Sequence, residues 1–266
     1  MKDVKNCDHD RRKLIIGAGA VAAGAAVLSS GVTSFVGKAV ASATTTYPYK
    51  KLDLAEVGRI AHEAYFTKYC AESVMTGIFK PLAKSVGEPY SSFPLGSVFW
   101  AHGGLMGWGT ACGTLFGSGM AIGLITSGDG TKVTTPNGRM PVPAGEAIIN
   151  DVIAYYANTE LPTYRPANPK TKITHVSKSD TPLCHVSVGR WMKKEGVKFF
   201  SPERVERCAR LSADIAMYTT KLLNEWKDGT YKPRNEPLAM VLDNGITSQN
   251  NCTDCHGNDV PSPPGA

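Results

Sequence analysis

Near its C-terminus the chain reads Cys252-Thr-Asp-Cys255-His256. Two thiols at this spacing can add to the vinyl groups of a haem and form thioethers. A histidine directly after the second thiol then lies under the iron as an axial ligand. Other chemistries fit less well. A zinc site needs a second ligand pair at metal spacing, and the chain has no second Cys-x-x-Cys. A thioredoxin-type dithiol sits near a strand-to-helix junction, whereas this motif lies in a Pro/Asn-rich stretch. Such a stretch buries few apolar side chains of its own and would gain apolar contacts from a porphyrin. The reading is covalent haem c, with Cys252 and Cys255 as attachment points and His256 as the proximal ligand and iron-binding residue.

The chain has seven cysteines. Cys7 lies in an N-terminal leader and two belong to the haem motif, which leaves Cys70, Cys112, Cys184 and Cys208. Buried free cysteines serve as small hydrophobes. An even count in an exported protein suggests disulfides. Four thiolates from four elements can also converge on an iron–sulfur cluster or on zinc. Spacing alone leaves all three open.

The leader itself is informative. Asp10-Arg11-Arg12-Lys13 opens an apolar Gly/Ala-rich stretch that runs to about Val36, and Ala41-Ser42-Ala43 is a small-x-small cleavage site. This is the pattern of a twin-arginine export signal over 1–43, and it implies a periplasmic product. The alternative is a retained membrane anchor, but serines, threonine and the cleavage site within or just after the stretch weigh against one. No stable membrane span is expected after cleavage. The full chain carries 29 Lys/Arg and 23 Asp/Glu; removing the leader's six bases and three acids lowers the net charge from +6 to +3. That mild charge gives no argument for nucleic acid and is compatible with steering toward acidic protein partners.

Several elements must position the cysteines. A helix is expected from Leu52 to about Lys84, with Asp53 as N-cap and Pro81 as a kink or break. Residues 96–126 place nine glycines among large apolar side chains, which lets backbones pack closely; a buried helix should run from about Thr110 to Ile125. Turn residues over 127–143 can hold a small hairpin. Helices follow over Pro143–Asn158, Val186–Lys194 and Pro202–Trp226, the last with Ser201 as N-cap and Pro202 at the first position. Residues 161–182 read as irregular. The fold class is mainly α: a single helical domain over 44–231 with cysteines from separate elements, then an irregular haem-binding tail over 232–266.

Taken in order, Tyr69-Cys70-Ala-Glu72, Ala111-Cys112-Gly113-Thr114-Leu-Phe-Gly117, Pro182-Leu183-Cys184-His185 and a helical Cys208 resemble a family of redox proteins defined by four spaced cysteines, the second in a glycine-rich helix start. With the haem motif added, residues from about 52 to 258 resemble the split-Soret cytochromes c. The resemblance implies an electron-transfer protein that works with redox partner proteins. It implies a homodimer whose bis-histidine haems lie close together at one end. It also implies an iron–sulfur cluster of the 2Fe–2S type in the other part, held by Cys70, Cys112, Cys184 and Cys208. A cluster at the opposite end makes His185 a poor axial ligand, and His175 or His102 becomes the distal candidate, supplied in cis or by the other subunit.

Two departures stand out. Thr114 occupies a place where the resemblance implies alanine. More seriously, two haems per subunit are implied and only one Cys-x-x-Cys-His is present; Thr181-Pro-Leu-Cys184-His185 is a conceivable one-thioether variant. The twin-arginine route exports folded proteins and would suit a cluster inserted before export. The rival readings are a haem/iron–sulfur oxidoreductase acting on a small molecule, and a monohaem protein whose cysteines hold structural zinc or disulfides. Gly107-Trp-Gly109 lacks the rest of a dinucleotide fingerprint, and His62-Glu63 lacks the second histidine of a metalloprotease helix.

Overall fold

The computed structural model describes residues 47–138 and 141–236. The leader and the Cys252–His256 motif lie outside the described residues. Five helices dominate: α1 (Leu54–Ser85), α2 (Gly113–Thr126), α3 (Ala144–Asn158), α4 (Cys184–Glu195) and α5 (Pro202–Lys227). A 3-10 turn spans Leu95–Val98, and β1 (Lys132–Thr134) pairs antiparallel with β2 (Pro141–Pro143), Val133 opposite Val142. The mainly helical fold class is as expected, and the small hairpin falls within its expected span.

Helix ends follow local chemistry. The Asp53 carboxylate accepts from the Glu56 amide at 2.7 Å and starts α1. Ser201 accepts from the Arg204 amide at 3.2 Å and starts α5. Each cap satisfies an otherwise orphaned helix N–H and contributes about 1 kcal/mol. The interior of α1 differs from expectation. The helix runs through Pro81 and breaks instead at Tyr69, whose φ of 57° and ψ of −162° are non-helical. An L-residue with positive φ is strained, and Tyr69 carries no sequence signal for such a turn. The break is imposed by tertiary packing around Cys70, the next residue.

α1 and α5 form the most extensive helix pair, and α2 lies against both, with α3 packed on α2 and α5. Their shared core includes Val57, Val74, Ile78, Phe79 and Leu82 from α1 and Leu211, Ile215 and Leu222 from α5. The glycines of α2 explain its closeness to α1. A Cβ at Gly117 would lie 2.4 Å from the Ala71 carbonyl oxygen, and one at Gly113 would lie 1.9 Å from that of Ala101.

Buried carboxylates pin the irregular segments. Glu206 accepts from Arg210 Nε at 2.7 Å and from the Lys170 amide at 3.0 Å, with His62 Nε2 at 3.2 Å. Asp151 accepts from the Tyr231 hydroxyl and from the Arg234 and Asn235 amides. Asp214 accepts from the amide and the hydroxyl of Thr163, both at 2.7 Å.

Burial pushes the Asp214 carboxyl up to about 6 despite the Thr163 donors. A carboxyl raised above its unfolded value, about 3.9, adds stability below that value and loses it as pH rises through the folded pKa. From this residue the fold is expected to lose about 3 kcal/mol between pH ~4 and ~7. Asp214→Asn can keep both Thr163 bonds by reversing the hydroxyl, and should lack that slope. Urea denaturation across this pH range checks it; identical slopes in both proteins would contradict the assignment.

Candidate functional site

The four internal cysteines are drawn together by helix starts. Cys70 is the first residue after the Tyr69 break, Cys112 is the N-cap of α2, and Cys184 is the first residue of α4. Cys208 lies in the second turn of α5. The connecting loops are hydrogen-bonded to each other: the Cys112 amide donates to the Pro182 carbonyl at 2.9 Å, and the Cys184 amide donates to the Thr110 carbonyl at 2.7 Å. Gly103, Gly104, Leu105, Met106, Gly107 and Gly109 all have positive φ. This run folds the 103–109 loop back on itself and brings the Gly103 amide to the Cys70 sulfur.

All four are free thiols and all are buried. Cys112 is central, within hydrogen-bonding reach of both Cys70 and Cys184. The Thr114 hydroxyl donates to Cys112 Sγ at 3.2 Å, so the residue that departs from the implied alanine adds a donor. Hydrogen bonds from Cys184 and Cys70, helped by Thr114, hold the Cys112 thiol well below its usual pKa although burial opposes this. Its partners move the other way. Sharing a hydrogen bond with Cys112 raises Cys70 and Cys184, and burial adds to both. Cys112 is thus the hydrogen-bond acceptor shared by Cys70, Cys184 and Thr114. Cys70, Cys112 and Cys184 each sit at a helix start, whose positive dipole end favours a thiolate.

Sequence reasoning missed Arg207. It precedes Cys208 in α5 and is 1 % exposed. Its Nη1 lies 3.8 Å from Cys208 Sγ, and its Nη2 donates to the Ser187 hydroxyl at 2.7 Å. Burial works against its charge, yet the Cys208 sulfur beside it and Cys112 outweigh that and raise its pKa. The available signal was its place at the edge of the α5 apolar stripe, one turn before Leu211.

The donor set is soft sulfur with a buried cation beside it, which suits an anionic thiolate-bound centre. Among the described residues, no three His, Cys, Asp or Glu side chains are grouped to hold a single metal ion. Cys112 shares hydrogen bonds with Cys70 and Cys184.

Of the candidate axial histidines, His175 has contacts apart from this site, whereas His102 lies beside the Cys70 junction. His175 Nδ1 lies 2.8 Å from Glu195 Oε2, and the His175 amide donates to the same oxygen at 2.8 Å. Trp191 Nε1 donates to the His175 carbonyl at 2.9 Å. The His175 side chain is 44 % exposed. His102 is half-buried with its ring 5.1 Å from that of Tyr69. His185 is exposed, with Nδ1 3.0 Å from the Gly109 carbonyl oxygen. His62 is a core residue paired with Glu206. Thr181 is buried and its hydroxyl accepts from the Leu183 amide at 3.3 Å, while Cys184 bonds to Cys112, so 181–185 is built into the thiol site.

The chain is similar to known redox proteins. A family model described as "Putative redox-active protein (C_GCAxxG_C_C)" matches residues 68–222, more than half the chain and all four internal cysteines. Split-Soret cytochrome c of Desulfovibrio desulfuricans is 29 % identical over 269 residues, covering 94 % of this chain and 89 % of the relative. The solved structure of split-Soret cytochrome c from Desulfovibrio desulfuricans ATCC 27774, reported for a novel iron centre, superimposes with a TM-score of 0.63 at 27 % identity, covering 84 % of this chain and 87 % of the other. No helix among the described residues is long and apolar enough to cross a membrane. The chain belongs to the C_GCAxxG_C_C redox-active family and is similar along most of its length to split-Soret cytochrome c.

Proposed function

We propose that the chain is an exported electron-transfer protein with two redox centres. One is haem c on Cys252 and Cys255 with His256 as proximal ligand. The other is an iron–sulfur cluster of the 2Fe–2S type on Cys70, Cys112, Cys184 and Cys208. The observation that carries the second centre is the convergence of four buried thiols on three helix starts beside a buried arginine. The relative's cytochrome name and its novel iron centre support both assignments. Arg11-Arg12 and Ala41-Ser42-Ala43 support export to the periplasm by the twin-arginine route. The resemblance further supports a homodimer with its haems close together, exchanging electrons with redox partner proteins.

The bound groups supply one-electron chemistry. The chain's own residues hold and tune them. Buried sulfurs exclude water from the thiol site, and the Gly103 amide and Thr114 hydroxyl donate to sulfur. His175 is the better distal candidate than His102. Glu195 holds its Nδ1 and its backbone, so Nε2 is left as the ring nitrogen for iron. Among the described residues, the His102 ring meets the Tyr69 ring and no carboxylate.

The test is an ultraviolet–visible spectrum of the full chain with haem, total iron and acid-labile sulfide quantified per polypeptide. One haem from the single attachment motif, plus the two irons and two sulfides of a 2Fe–2S centre, are expected. The haem should be six-coordinate and low-spin, unchanged by carbon monoxide, and His175→Ala should make it bind carbon monoxide. A single iron per chain, all of it in haem, would overturn the two-centre reading. An open haem position in the unaltered protein would instead favour the oxidoreductase.

A further inference from the structure

Arg207 lacks an ordinary partner. Its Nη2 is held by the hydroxyl of Ser187 at 2.7 Å and the Ser187 carbonyl at 3.4 Å, its Nη1 points to Cys208 Sγ, and its Nε is buried with no hydrogen-bond partner. Among the described residues no carboxylate pairs with it; the adjacent Glu206 is occupied by His62, Arg210 and the Lys170 amide. Tyr156 is close, but burial pushes its phenol up and keeps it neutral. A buried cation without a counter-anion is strongly destabilising. The groups left to carry the compensating charge are the cysteine sulfurs. Ser187 sits three residues after Cys184 in α4, so the guanidinium bridges the helices that carry Cys184 and Cys208.

The Thr114 hydroxyl is also buried and donates to Cys112 Sγ at 3.2 Å. We propose that Arg207 and Thr114 set the reduction potential of the centre held by Cys70, Cys112, Cys184 and Cys208. The guanidinium acts as its buried counter-charge and the Thr114 hydroxyl as a donor to sulfur. The inference rests on the four-cysteine reading above. Reduction adds an electron to a site that is already negative. A fixed cation in a poorly screened interior stabilises that electron more than the same charge in water would. A hydrogen bond to sulfur draws charge from the ligand and acts in the same direction. Ser187 is a positioning residue that aims the guanidinium.

The experiment is a redox titration of the full chain followed by electron paramagnetic resonance, with non-haem iron and sulfide quantified in each sample. Thr114→Val is expected to favour the oxidised form about tenfold, a downward shift of ~59 mV for one electron. Thr114→Ser should restore the original potential. Arg207→Met should shift it further down, with Arg207→Lys between the two. Lys194→Met removes a charge from an exposed side chain on α4 and should leave the potential unmoved. Loaded Thr114→Val at the unaltered potential, or loaded Arg207→Met matching Lys194→Met, would overturn the proposal. The threonine pair keeps the test decisive if Arg207→Met fails to fold. Unaltered protein without non-haem iron and sulfide is a different failure, that of the four-cysteine reading itself.

Discussion

Alanine at Gly113 is expected to destabilise the fold by about 3 kcal/mol or more. The added Cβ would lie 1.9 Å from the Ala101 carbonyl oxygen, 3.0 Å from the Ala101 carbonyl carbon and 2.7 Å from Cys70 Cβ. Two of these atoms are backbone and the third is the root of a buried cysteine, so none can rotate away. α2 would have to withdraw from α1, opening the junction where Cys70 and Cys112 meet. The same helix supplies its own controls. Gly119 and Gly123 have nothing within 4 Å of a built Cβ. Alanine at either should stabilise by about 0.5 to 1 kcal/mol, because glycine in a helix interior costs that much. Urea denaturation of the three variants measures this. If Gly113→Ala proved as stable as Gly123→Ala, close packing of α2 on the Cys70 junction could not be the reason for the glycine.

The contrast among these glycines shows what the sequence made legible. Glycine density over 96–126 announced close packing without saying which glycines serve it, because steric need depends on the neighbour across the interface. The ends of α1 and α5 were readable because Asp53 and Ser201 act on amides three residues away. The break at Tyr69 was not. Pro81 offered a stronger local signal, yet the helix accommodates proline near its end and bends where packing requires Cys70 to face Cys112. The cysteines themselves were visible as a pattern, and their convergence depends on pairing between 109–112 and 182–185, which no local periodicity encodes. Arg207 was missed for a related reason. An arginine flanking an apolar stripe usually reaches solvent along its own stem, and only the position of Ser187 in another helix shows that this one turns inward. The Glu195 contact that holds the His175 ring comes from twenty residues further along the chain, and no local pattern announces it.

Serine at Cys112 is expected to abolish non-haem iron and sulfide while leaving haem per chain unchanged. Cys112 accepts from Cys70, Cys184 and the Thr114 hydroxyl, and those donors are what hold its thiol in the low range despite burial. A serine hydroxyl stays protonated at neutral pH in the same place and offers a hard oxygen where soft sulfur is required. Loss of a supporting contact alone weakens metal binding about 10- to 100-fold, and loss of the central ligand should exceed the upper end of that range. Folding is protected by the position itself. Cys112 is the N-cap of α2 with extended backbone angles, and serine is among the residues that best satisfy an N-cap. Far-ultraviolet circular dichroism should therefore be unchanged, which separates ligand loss from misfolding. The haem motif lies 140 residues further along the chain, so the haem absorption serves as an internal standard for iron content. Cys112→Ser protein that retains the unaltered complement of iron and sulfide would remove Cys112 from the ligand set, and with it the four-cysteine reading of the second centre.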